Sequence, residues 1–187
     1  MTLPNTSLTE SLWIFANSFV DLHEKTHGYL PVIEKDSEWL STCQQDDFDD
    51  KIIHWRPVKS LVNLSFENIE SALEITLHQD IKAYFSTFFS ESIDANCEEG
   101  QLSLLFAWNE DDFQRLQENI IGHVLMKKRL KQDNTIFFAV TDEEDLIISL
   151  HNDTGEVWVE RVGCKPHKKI ANSLNEFILQ LTPVCPK

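Results

Sequence analysis

Three strand-like runs, Thr135 to Val140, Leu146 to His151 and Glu156 to Arg161, are joined by two short polar turns, Asp142-Glu143-Glu144-Asp145 and Asn152-Asp153-Thr154-Gly155. Connections this short cannot hold a crossover helix, so the three runs can pair only as an antiparallel meander. Thr135 to Val140 is almost continuously apolar, the pattern of a central strand covered on both faces.

Helical periodicity surrounds the meander. Ser7-x-x-Glu10 is a capping box, after which Leu8, Leu12, Phe15, Phe19 and Leu22 share one face until Gly28 and Pro31 stop the helix. Ile69, Leu73, Leu77, Ile81, Tyr84 and Phe88 predict a helical stretch over 66–89 with room for one break. Asn109 caps a third helix that opens Glu110-Asp111-Asp112 and closes on Lys127-Lys128-Arg129-Leu130-Lys131, both ends agreeing with the macrodipole. Its buried stripe is Phe113, Leu116, Ile120 and Val124, and Gly122 invites a kink or an early stop. Ser173-x-x-Glu176 opens a last helix with Leu174, Phe177, Ile178 and Leu181 on one side, ended by Pro183. Lys51 to Arg56 and Gln101 to Trp108 read as further strands, and 34–50 as an acidic excursion around a short strand. The fold class is α+β, a mostly antiparallel central sheet with helices around it, in one domain over 1–187; this length buries a core without staples.

Charge narrows the function. Residues 1–126 carry 22 acids against seven Lys and Arg, and residues 127–187 carry nine of each, so the whole excess of −15 lies in the first two thirds. A field of that sign repels phosphate backbones, which argues against nucleic acid, and disfavours anionic lipid equally. It serves solubility, or it suits a basic partner; cytosol-facing loops of inner-membrane proteins are such partners by the positive-inside rule. The Lys127–Lys131 cluster reads as a helix end, with a phosphate or lipid contact as the alternative. The longest apolar run, Leu102 to Trp108, is seven residues with Ser103 inside it, far short of a bilayer span. The opening Met-Thr-Leu-Pro-Asn-Thr-Ser lacks the basic start of a signal or transit peptide, which predicts a cytosolic protein with reduced thiols and idle sequons at Asn5, Asn63 and Asn152.

Motifs for catalysis are sparse. His23-Glu24-Lys25-Thr26-His27 matches His-Glu-x-x-His, which on a helix can present two imidazoles to zinc with the Glu polarising a water. Gly28 would place the second ligand at a fraying end, and no downstream His or Glu announces a third. The pentad therefore reads as the exposed end of an amphipathic helix, with a zinc hydrolase as a minor alternative. No Gly-x-Ser-x-Gly elbow, Gly-x-Gly-x-x-Gly, Walker loop or Cys-x-x-Cys is present, and the carboxylate clusters at 46–50, 110–112 and 142–145 lack the spacing of a calcium loop. No cofactor or metal is expected.

The block Trp108-Asn109-Glu110-Asp111-Asp112-Phe113-Gln114-Arg115-Leu116-Gln117-Glu118-Asn119-Ile120-Ile121-Gly122-His123, with Lys128-Arg129-Leu130-Lys131, closely resembles the Syd family of SecY-interacting proteins, of the SUKH superfamily. The likeness extends to Asp21, His23 and Glu24, to His54-Trp55-Arg56-Pro57, to Thr154-Gly155-Glu156-Val157 and to Leu174 through Leu181; His27 lies outside the family pattern. The resemblance implies a non-enzymatic, monomeric SUKH-like domain docking peripherally on the SecY channel at the cytoplasmic side of the inner membrane, as a monitor or negative regulator of improperly assembled translocase. Joined to the charge argument, it points to an acidic groove for basic SecY loops. Glu110, Asp111, Asp112 and Glu118 are the leading contact candidates, and Asp142, Glu143, Glu144 and Asp145 the second set. Acids in a first helical turn also stabilise the helix with no partner at all. A SUKH-type immunity protein that neutralises a toxin is the alternative.

Overall fold

A computed structural model describes residues 6–185. Helix α1 (Leu8–His27) leads into a small antiparallel sheet of β1 (Val32–Glu34), β2 (Gln44–Asp47) and β3 (Ile52–Trp55), in the order β1-β3-β2. Helices α2 (Glu67–Leu73) and α3 (Gln79–Ser86) follow, then β4 (Ile93–Cys97), β5 (Gly100–Leu104) and the long α4 (Glu110–Arg129). The chain continues through β6 (Thr135–Thr141), β7 (Leu146–His151), β8 (Val157–Arg161), β9 (Lys168–Ala171), α5 (Leu174–Gln180) and β10 (Thr182–Pro183). The larger sheet is antiparallel throughout, in the order β10-β4-β5-β6-β7-β8-β9, so the fold is α+β as the sequence implies.

The meander pairs in the expected order, with Ile136 opposite Leu150 and Ile148 opposite Val159. The capping box of α1 is complete: Ser7 accepts from the Glu10 amide while the Glu10 carboxylate accepts from Ser7. At α5 only half of the box forms. Ser173 accepts from the Glu176 amide at 3.1 Å, but the Glu176 carboxylate reaches one residue further back, to the Asn172 amide at 2.9 Å.

The stretch over 66–89 does break. Glu74 turns left-handed at φ 52°, and Asn152, from the β7–β8 turn, staples the gap by accepting from the His78 amide and donating to the Thr76 carbonyl. Asn152 is thereby buried. The expected strand Gln101 to Trp108 is shorter, ending at Leu104. Beyond it the apolar residues serve helix packing instead, and Phe106 stacks on Tyr84 with centroids 4.9 Å apart. Residues 34–50 hold β2 between polar connections. Gly122 neither kinks nor ends α4, because its exposed position leaves the apolar face of Ile120, His123 and Val124 uninterrupted.

The basic end of α4 is not simply solvated. Lys127 falls three residues after Val124, on the apolar stripe, and is fully buried; its Nζ donates to Glu160 at 2.7 Å and to the Cys164 carbonyl at 3.0 Å. Thr135 donates to the other Glu160 oxygen at 2.7 Å, so its hydroxyl accepts from His123 Nε2 at 3.1 Å. Lys128 donates to the Leu73 carbonyl, tying α4 to α2. Burial pushes the Glu160 carboxyl up, but hydrogen bonds from His123, Lys127 and Thr135 outweigh it and hold the group below its ordinary value of 4.5.

A carboxyl lowered by folding lends stability above its unfolded value, and that stability is lost as pH falls through the folded value. Glu160→Gln should therefore lower stability by about 3–5 kcal/mol near neutral pH by stranding the Lys127 charge. In acid the difference from the parent should shrink. The double variant Lys127→Met/Glu160→Leu should recover most of the loss, as read by urea unfolding. Gly122→Ala should raise stability by about 1 kcal/mol in the same assay, since a Cβ there meets nothing within 4 Å.

Candidate functional site

The start of α4 is built by reciprocal capping. Asn109 Oδ1 accepts from the Asp112 amide at 2.8 Å, and Asp112 Oδ2 accepts from the Trp108 amide at 2.9 Å. Asp112 is therefore committed to the helix terminus, while Glu110 and Asp111 face solvent. The same residues fasten the small sheet's long connection. Asn109 Nδ2 donates to the Leu40 carbonyl at 2.8 Å, Trp108 Nε1 to the Trp39 carbonyl at 3.1 Å, and Ser41 to the Trp108 carbonyl. Arg115 lies over the Trp39 ring, 4.1 Å from its centroid.

Two open hollows flank this seam. One, of about 510 Å³, lies between Leu40-Ser41-Thr42 with Phe89 on one side and Asn109-Glu110-Asp111 on the other. The second, of about 450 Å³, is bordered by Glu34, Asp36, Trp39 and Trp108. Glu34, Asp36, Glu110 and Asp111 are all exposed, Lys35 is paired with Asp47 at 3.0 Å and Arg115 lies over Trp39, so carboxylates outnumber the cations at the rim. Leu40, 64% exposed, supplies an apolar contact among them. Glu91 registers the local field: burial first, then the negative charge of Asp112, raises its carboxyl above the ordinary value.

The other candidate residues are placed differently. Glu118 is exposed two turns along α4 from Asp111, within 3.5 Å of the Gln114 amide group. Asp142, Glu143, Glu144 and Asp145 are exposed on the β6–β7 turn, at the end of the sheet where β5 begins, whereas α4 starts beyond the end where β5 finishes. Glu143 and Asp145 are both paired with Arg161, whose own value they raise. Asp142 borders a hollow with Asp94 and Ser103, and Glu144 remains in solvent. Glu34 and Asp36 are the rim residues that sequence reasoning passed over, although the acidity of 34–50 was their signal.

The His-Glu-x-x-His pentad ends α1 with Glu24, Lys25 and Thr26 exposed, as expected, but its two imidazoles turn inward. His23 is buried, its Nδ1 3.0 Å from the Tyr29 carbonyl, and His27 Nε2 lies 3.1 Å from the Cys185 Sγ. Glu24 faces solvent. All four cysteines are free thiols.

Fold and seam together define a small antiparallel α+β domain that carries a shallow, open, acid-rimmed surface rather than an enclosed cavity. Residues 9–183 match the family described as Syd protein (SUKH-2). Protein Syd of Colwellia psychrerythraea is 55% identical over 97% of this chain and 96% of its own length. Protein Syd of Alteromonas mediterranea is 46% identical over 91% and 93%, and that of Pseudoalteromonas atlantica 41% over 96% and 95%. The chain belongs to the Syd family. No helix among the described residues is long and apolar enough to cross a membrane.

Because folding raises the Glu91 value, its ionised form opposes the folded state above the ordinary carboxyl range. Glu91→Gln should accordingly raise the melting temperature at neutral pH, with the gain shrinking toward about pH 4. An equal gain at both would show that ionisation of the half-buried Glu91 carboxyl is not its cause.

Proposed function

We propose that this protein binds the Lys/Arg-rich cytoplasmic loops of the SecY channel through the acidic seam at the start of α4. It would act there, without catalysis, as a peripheral, monomeric monitor or negative regulator of improperly assembled translocase on the cytoplasmic side of the inner membrane. The observation that carries this reading is the hollow between Leu40-Ser41-Thr42 and Glu110-Asp111, because among the described residues Glu110 and Asp111 form no ion pair while Asp112 is spent on the helix. Its breadth suits an extended basic segment, with Lys and Arg heads on the rim and their aliphatic stems on Leu40 and Trp39. Glu118 extends the acidic track along α4. Asp142 to Asp145 form a second contact of lower weight, since Arg161 already neutralises two of the four carboxylates. Membership of the Syd family supports the choice of SecY, and the acid excess of residues 1–126 supports a basic partner.

Rim charges chiefly set association rate and salt dependence. In pull-downs with detergent-solubilised SecY complexes, Glu110→Lys/Asp111→Lys should weaken capture roughly tenfold or more. Capture by the parent protein should fall between low and high salt. Asp112 stays intact in this variant so that the helix cap survives, and circular dichroism checks the fold. Undiminished, salt-independent capture would refute the acidic seam as the docking surface.

A further inference from the structure

Folding gathers His23, His27 and Cys185, which lie up to 162 positions apart in sequence, so that one ligand atom from each falls within 4.8 Å of the others. We propose that these three side chains form a zinc-binding site that clips the segment after β10 onto the last turn of α1.

Four features of the surroundings favour a cation. First, His23 and His27 stand at i and i+4 on α1, with ring centroids 4.5 Å apart, so the helix presents both imidazoles on one side. Second, the orientation of His23 is fixed from behind. Gly28, at φ 83°, turns the chain so that the Tyr29 carbonyl faces His23 Nδ1 at 3.0 Å. A carbonyl can only accept, so Nδ1 carries the proton and Nε2 keeps its lone pair for a metal, the arrangement usual for zinc-bound imidazoles. Third, the site lies at the C-terminal end of a 20-residue helix, where the dipole favours positive charge. Fourth, Cys185 also lines an open hollow bordered by Asp94 and Asp142, an acidic approach for a dication.

Tetrahedral zinc bound at about 2.0–2.1 Å to nitrogen and about 2.3 Å to sulfur holds two nitrogens about 3.3 Å apart and a nitrogen and a sulfur about 3.6 Å apart. His27 Nε2 and Cys185 Sγ, at 3.1 Å, must open by about half an ångström, and His23 must close by at most about 1.5 Å. Two neutral imidazoles and one thiolate select a borderline-soft ion over calcium or magnesium and leave a fourth position for water. The Cys185 thiol proton is released to solvent when sulfur binds the metal, so affinity should rise with pH.

Cobalt(II), a spectroscopic stand-in for zinc, tests the site in the full-length, reduced, chelator-treated protein. One equivalent should bind per chain with a thiolate-to-cobalt charge-transfer band in the near ultraviolet, and zinc should displace it. Cys185→Ser should abolish the band, and His27→Ala should weaken binding at least about tenfold. Cys43→Ser, Cys97→Ser and Cys164→Ser should leave both unchanged, with circular dichroism confirming that every variant folds. Absence of the band, its survival in Cys185→Ser, or its loss with one of the other cysteines would overturn the proposal. So would zinc binding with no preference for the parent protein over His27→Ala.

Discussion

The exchange of hydrogen bonds among Trp108, Asn109 and Asp112 fixes more of this molecule than any other local interaction. It starts α4, and through Asn109 Nδ2 and Trp108 Nε1 it pins residues 39–40, and with them the small sheet, against that start. Acidic residues far apart in sequence, Glu34 and Asp36 on one side and Glu110 to Asp112 on the other, are brought to one seam by the same three residues. One carboxylate of the first turn is consumed in the process. The two beside it are left in solvent at the positive end of a helix, where ionised acids are stabilised without a partner and remain available to one.

The opposite end of α4 is fixed by different means. Lys127 is carried into the core by the helix period and meets Glu160 of β8, with Thr135 and His123 completing the carboxylate's partners. A buried ion pair of this kind adds little net stability against an apolar substitute, but breaking one side of it is costly. It serves to set the rotation of α4 over β6 and β8. A rotation that exposed Lys127 would strand Glu160, so the rotation that presents Glu110, Asp111 and Glu118 to solvent is held from the far end of the same helix.

Much of this was legible in the sequence because the governing signals were local. Capping residues Ser7, Asn109 and Ser173 placed the starts of α1, α4 and α5, and the spacing of two turns dictated β6, β7 and β8. What escaped depended on distant partners. β9 and β10, four and two residues long, exist only by pairing with β8 and β4. Phe106 reads as strand from its apolar neighbours, yet packs on Tyr84 of α3. Lys127 was in phase with Val124, but its charge suggested a helix end because nothing local announces Glu160, 33 positions away. His23 and His27 appeared to lack a third ligand for the same reason: Cys185 arrives from the far end of the chain. For the acidic seam, the charge density of both segments was visible, and only their meeting was hidden.

Docking of a cationic segment at this seam, rather than at the β6–β7 turn, can be read by titrating isotope-labelled protein with a Lys/Arg-rich peptide matching a SecY cytoplasmic loop, while following amide and indole resonances by NMR at low salt. Saturable shifts should concentrate at residues 34–42 and 108–118, including the Trp39 and Trp108 indoles, and be reversed by added salt. Shifts confined to 142–145, or none at all, would rule the seam out as the docking surface.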